Sequence, residues 1–172
     1  MAEELIEELV EEGEDAQTGK FMTFQTGKEY FGISISYVKE IIPMQPITAI
    51  PEVEDYIKGL INLRGKIIPV IDVRVRFKMD PTEYTDRTCI IVIDVKSTVL
   101  GLIVERIAEV DTILDDDIVP PPALGKKDNE QRKYVYGLAR TGDTVKLLLD
   151  PDKLIKQDAL DAIEDNQEKE QS

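Results

Sequence analysis

The chain has 172 residues, 35 acidic and 21 basic, giving a formal charge of −14, and it contains neither histidine nor tryptophan. The excess sits at the ends: residues 1–15 contribute −8 and residues 156–172 contribute −4, leaving about −2 on 16–155. A near-neutral centre between acidic ends argues against a surface built for nucleic-acid phosphates or anionic membranes, which needs clustered Lys and Arg, and the length suits one ordinary domain or two small lobes sharing an interface.

From the N-terminus, Glu3–Glu12 places Leu5, Ile6, Leu9 and Val10 on one face of a helix. Short strands rich in Val, Ile, Leu, Phe and Tyr follow, beginning with Phe21–Phe24 and Phe31–Ile35 and separated by turn signals such as Thr26-Gly27. Ile35, Val38 and Ile41 recur at every third position, which predicts a helical turn over Ser36–Ile41 with one apolar stripe; a second turn is expected at Asp55–Lys58. Gly59–Arg74 joins two apolar strands through Arg64-Gly65-Lys66, with Gly65 able to take the positive φ of a tight hairpin. Pro69 lacks an amide hydrogen, so its strand is expected at a sheet edge or bulged there. Strands over Cys89–Ile93 and Leu100–Val104, a turn or cap at Asp115–Asp117, a polar insertion at Gly125–Lys133 and a helix over Asp150–Glu164 complete the chain.

The two halves repeat each other. Residues 21–51 align on 90–120 at a constant offset of 69: Phe21–Phe24 on Ile90–Ile93, Phe31–Ile35 on Leu100–Val104, and Val38, Glu40 and Ile41 on Ile107, Glu109 and Val110. Beyond the insertion, Gly59-Leu60 falls on Gly137-Leu138 and Lys66–Ile71 on Asp143–Leu148. About five strands in some 60–70 residues suit a compact SH3-like or OB-like barrel. The expected fold is therefore mainly all-β: two small five-stranded barrels, roughly 20–85 and 86–155, sharing an apolar seam, with few short helices, a C-terminal helix, and acidic segments at 1–19 and 156–172.

Little in the chain points to catalysis. Without histidine it lacks the commonest general base near neutral pH and the commonest zinc or copper ligand, and it has no glycine-rich phosphate loop. Cys89, the single cysteine, lies in an apolar run and is expected to be a buried thiol. Asp72, Asp94 and Asp150 each close an apolar strand, as turn formation explains. No catalytic residue, metal or cofactor is assigned, although a metal-dependent hydrolase using Asp72, Asp94 and Asp115 is the remaining enzymatic alternative. Arg74, Arg76 and Lys78 form only a short charged edge, which weakly supports a barrel that binds nucleic acid. The acidic start lacks the basic opening of a secretory signal and no apolar run reaches the ~20 residues of a membrane span, so a cytoplasmic location is expected.

What remains is two apolar stripes, Ile35, Val38, Ile41 and Val104, Ile107, Val110, which read either as ordinary core or, at their outer edge, as a groove at the seam where a partner helix inserts, beside the pair Glu40 and Arg64. The run Tyr56–Arg74, together with Tyr30–Ile35, Val38–Ile41 and Val99–Val104, resembles the CheW family of bacterial chemotaxis adaptors, from about Lys20 to Ile155. The resemblance implies two intertwined SH3-like barrels and a coupling role without catalysis, in the cytoplasm at receptor arrays of the inner membrane. Its partners would be the cytoplasmic hairpin tip of methyl-accepting chemoreceptors and the regulatory domain of a CheA-type histidine kinase. It assigns Val38, Glu40, Gly59, Arg64 and Gly101 to receptor coupling and Ile35, Ile41 and Ile107 to the groove; kinase contacts are implied only for barrel ends. A CheW-like module of a related chemosensory pathway is the neighbouring alternative.

Overall fold

In the computed structural model, residues 19–121 and 133–155 are described, together with the helical positions Glu4, Glu7 and Glu8. The remainder of the expected Glu3–Glu12 helix, the insertion up to Lys133 and the C-terminal helix beyond Ile155 lie outside the described residues; within the last, Pro151–Lys153 form a 3-10 turn. Eleven strands are described: β1 Lys20–Thr26, β2 Glu29–Ser34, β3 Val38–Pro43, β4 Ile57–Leu63, β5 Lys66–Asp72, β6 Cys89–Val95, β7 Thr98–Val104, β8 Arg106–Thr112, β9 Ile118–Val119, β10 Val135–Thr141 and β11 Thr144–Leu149.

They form two sheets, in the orders β8-β1-β2-β11-β10-β9 and β3-β6-β7-β5-β4. The repeat is visible in this order: β1, β2 and β8 occupy the places of β6, β7 and β3, and β10 and β11 those of β4 and β5. Neither sheet belongs to one half of the sequence. β3 leaves its own hairpin to pair with β6, and β8 pairs with β1, so each sheet joins the first hairpin of one repeat to later strands of the other. The first sheet has six strands where five were expected, because Ile118–Val119 pairs with β10; its counterpart in the second sheet is a lone bridge, Thr48 to Leu60.

Beyond the insertion the register differs by one residue from the sequence alignment: β5 starts at Lys66 and β11 at Thr144, an offset of 78 that sets Asp72 on Asp150. The two aspartates do the same work. Asp72 accepts from the amides of Arg74 and Val75 and caps the helical turn Val73–Arg76; Asp150 accepts from Asp152 N and caps Pro151–Lys153. The expected turn at Asp55–Lys58 is a single bend closed by Ile57 N to Glu54 O, with Lys58 already in β4. β5 is not an edge strand, since it lies between β4 and β7, but its ladder with β7 begins only at Val70. Pro69 therefore sits where no β7 acceptor is left waiting for its missing donor.

Side chains alternate between two interiors. Met22 and Phe24 enter a large cluster that draws on both sheets, the seam; Phe21 packs with Ile113, Ala139 and Leu148 inside the first sheet, and Ile90 and Val92 with Ile42, Ile61 and Val70 inside the second. Strands buried on both faces read as the unbroken apolar runs found in the sequence. Aromatic rings run through the seam, Phe24 to Phe31, Phe31 to Phe77 and Phe77 to Tyr134, with centroids 5.7, 5.0 and 5.6 Å apart.

Candidate binding groove

The predicted helical turn over Ser36–Ile41 is mostly strand. Ile35–Tyr37 form one 3-10 turn with Ser34 as cap, and β3 begins at Val38. The spacing of three has another cause: an extra residue lies between Val38 and Glu40, which oppose the adjacent Ile93 and Val92 of β6. In a regular strand residues three apart face opposite ways, and the bulge returns them to one face. β8 repeats the device, with Ile107 and Val110 opposite Phe24 and Met22. Val38, Ile41, Ile107 and Val110 consequently all pack against the seam.

Burial divides the stripes. Ile35 and Val38 are 0% and 4% exposed and Val104 is buried as well, so these are seam residues with no surface to offer. Ile41 and Ile107 are half-buried, and together they line an open concavity of about 700 Å³ whose rim carries Asp86, Arg87 and Arg106. The exchange of β3 and β8 between sheets is what brings these two equivalent isoleucines to one groove. Cys89, buried as expected, lies on its wall.

Glu40 and Arg64 do meet, in an ion pair between the β3 bulge and the tip of the β4–β5 hairpin. Arg64 and Gly65 have φ of 50° and 87°, the left-handed pair of a two-residue hairpin, and Asn62 Oδ1 accepts from Gly65 N at 2.8 Å. The sequence assigned positive φ to Gly65 only; that Arg64 shares it is a consequence of the loop being two residues long. The hydrogen bond to Glu40, followed by its charge, holds the Arg64 proton more firmly, while the guanidinium stays 68% exposed.

Gly59 and Gly101 are buried in the second sheet, where both answer to packing. A Cβ on Gly59, whose φ is 147°, would fall 2.1 Å from Thr48 O; one on Gly101 would fall 2.7 Å from Ile90 and 2.9 Å from Val70. Asp72, offered above as a possible metal ligand, is committed to its cap and to the Tyr84 hydroxyl at 2.8 Å; burial and then this bond push the Tyr84 phenol well up. Among the described residues no group of three or more His, Cys, Asp or Glu is placed to hold a metal. Tyr84→Phe is expected to cost about 1 kcal/mol of stability, the usual worth of one such hydrogen bond, read from urea unfolding.

Arg76 is not part of a charged edge but is buried, stacked between Tyr56 and Tyr134 at 4.2 and 4.5 Å with Nε donating to Leu154 O. The repeat held a signal for it: at the offset of 78, Tyr56 falls on Tyr134 and Arg76 on Leu154.

An open groove between two strand-exchanged sheets, with isoleucines from both sheets and charged side chains in its lining, fits an interaction module. The CheW-like domain matches residues 20–159, and the chain belongs to that family. It is 33% identical over 147 residues to the chemotaxis protein CheW of Klebsiella aerogenes, covering 86% of this chain and 87% of that protein. The chemotaxis protein CheW of Bacillus subtilis is 38% identical over 117 residues, 67% of this chain and 75% of that one. The crystal structure of the scaffolding protein TtCheW from Thermoanaerobacter tengcongensis superposes with a TM-score of 0.74 at 34% identity, over 82% of this chain and 94% of that one.

Proposed function

We propose that this chain is a chemotaxis adaptor: it couples the cytoplasmic tips of methyl-accepting chemoreceptors to the regulatory domain of a CheA-type histidine kinase and places kinase activity under receptor control without catalysis of its own. The observation that carries this reading is the groove whose mixed lining includes the equivalent isoleucines Ile41 and Ile107, apolar contacts for the face of a partner helix, beside charged side chains. Glu40 and Arg64 flank that receptor surface, while Ile35, Val38, Gly59 and Gly101 act on it from beneath by fixing β3, β4 and β7. The kinase domain binds elsewhere, at a barrel end, so one chain bridges both partners and gains avidity without new chemistry. Its place is the cytoplasm, at receptor arrays; none of the described helices is long and apolar enough to cross a membrane.

The test is a pull-down of the purified chain with a receptor cytoplasmic fragment and a CheA-type regulatory domain, separately and together. One complex holding all three supports the adaptor; capture of neither partner overturns it, and capture of the kinase domain alone removes the receptor half. Arg64→Ala is expected to weaken receptor capture several-fold with an unchanged melting temperature, because an exposed ion pair contributes little to folding. Unchanged receptor affinity in that variant would remove Arg64 from the surface.

A further inference from the structure

The repeat predicts that the inner faces of the two sheets match, and they do not. Inside the second sheet, Ile42, Leu63, Ile68, Val92 and Val99 belong to or pack against one apolar cluster. At the same offsets the first sheet carries Asp111, Thr141, Lys146, Thr23 and Tyr30. Their placement inside is supported by Gly32, where a Cβ would meet Leu148 at 2.9 Å and Thr23 at 3.8 Å, just as its counterpart Gly101 meets the second sheet's cluster. Apolar residues persist mainly around Phe21, Ile113, Ala139 and Leu148.

Most of this polar set is served. Thr23, fully buried, donates its hydroxyl to Glu109 O at 2.9 Å and accepts from Glu109 N at 3.1 Å, closing the β8 bulge. Lys146, 2% exposed, lies 3.4 Å from Glu109 Oε1 and 4.3 Å from the Tyr30 ring centre. Arg106 is committed to Gln25 and to the Tyr30 hydroxyl, and Lys20 to Thr112. What is left over is Asp111 Oδ2 and Thr141 Oγ1, both buried with no hydrogen bond. The Thr141 hydroxyl acts on the Asp111 carboxyl without a well-formed hydrogen bond to it, so burial of the oxygen outweighs that contact and favours the protonated form.

The groups that act on Asp111 come from three strands: Glu109 on β8 itself, Lys146 on β11 and Thr141 on β10. Burial first, and then the Glu109 charge, raise the Asp111 carboxyl; Lys146 and the Thr141 hydroxyl offset part of this.

We propose that the interior of the first sheet is a proton-linked element, in which Asp111 takes up a proton as the pH falls and the strands around it become harder to open. With the folded pKa above the unfolded value of about 3.9, this contribution to stability is fully present below the unfolded pKa and is lost as pH rises through the folded one. The second sheet, with apolar residues in the same places, has no such term. β8 carries Ile107 as well as Asp111, so the strand that is tightened also supplies one side of the groove. The element is independent of what the groove binds.

Two measurements on the full chain test this: carboxyl NMR titration of Asp111, and native-state hydrogen exchange between pH 4 and 8, corrected for intrinsic exchange. Asp111 is expected to titrate above the ordinary aspartate range. Protection in β8, β10 and β11 is expected to fall with rising pH through that pKa while β3, β4 and β5 change little, and Asp111→Asn is expected to abolish the difference. A variant given the second sheet's residues, Asp111→Ile with Thr141→Leu and Lys146→Ile, is expected to lose the same dependence. An Asp111 that titrates at or below its ordinary value, an equal response in both sheets, or an Asp111→Asn chain that keeps the full dependence would each overturn the proposal. Should the variants fail to fold, the titration of the unaltered chain decides alone.

Discussion

The Val38→Glu chain is expected to be largely unfolded at 25 °C, with no cooperative thermal transition. Val38 is 4% exposed and packs in the seam shared by both sheets. The change removes a buried aliphatic side chain, about 1.5–3 kcal/mol, and adds a charge whose burial costs several kcal/mol more unless it takes a proton. The neighbouring carboxylate of Glu40 offers no relief, and the cation beside it, Arg64, is already engaged with Glu40 at the surface. Together these effects rival the ~5–15 kcal/mol that holds an ordinary domain. From the stripe alone the same substitution reads as a surface probe that blocks a partner and spares the fold. Circular dichroism with a urea titration separates the two: a native-like transition with receptor capture lost would place Val38 at the contact and undo the division of the stripe. Loss of function on altering Val38 therefore says little about the groove, whose own probes are Ile41 and Ile107.

The duplication was legible because its strongest markers answer to contact. Gly32 and Gly101 are pressed by side chains of the neighbouring strand, and Gly59 and Gly137 by the segment that crosses them, so equivalent packing demands glycine at equivalent places. The exchange of β3 and β8 was not, since a repeated strand reads the same whether it pairs with its own hairpin or with the other. The bulges were hidden for a related reason: a strand with one extra residue puts positions three apart on one face, which is also what a helical turn does. The slip in β11 arose where Gly142-Asp143 replaces Arg64-Gly65 and moves the glycine by one; matching the capping aspartates Asp72 and Asp150 restores the register. In the groove, Ile41, Ile107 and the Glu40–Arg64 pair were legible as apolar and charged members of a repeat. Which stripe residues keep a surface was not, because burial at the seam depends on strands far apart in sequence.

Arg76→Met is expected to cost roughly 3–5 kcal/mol and to lower the melting temperature by about ten degrees or more, with the groove residues untouched. Tyr56 precedes β4 in the second sheet and Tyr134 precedes β10 in the first, so the guanidinium stacked between them ties the two sheets at the seam. Its Nε serves Leu154 O, the carbonyl of its own counterpart in the repeat, and an asymmetric cation thus satisfies a position that two copies of one sequence would leave empty. Methionine keeps much of the volume but none of the charge or donors, leaving a buried carbonyl short of a partner. Tyr84→Phe removes a hydrogen bond at the second sheet's corner and should shift stability only about a fifth to a third as much. If Arg76→Met melts with the parent chain, the seam holds by apolar packing alone. If it melts early but still captures a receptor fragment at low temperature, the arginine joins the sheets without shaping the groove.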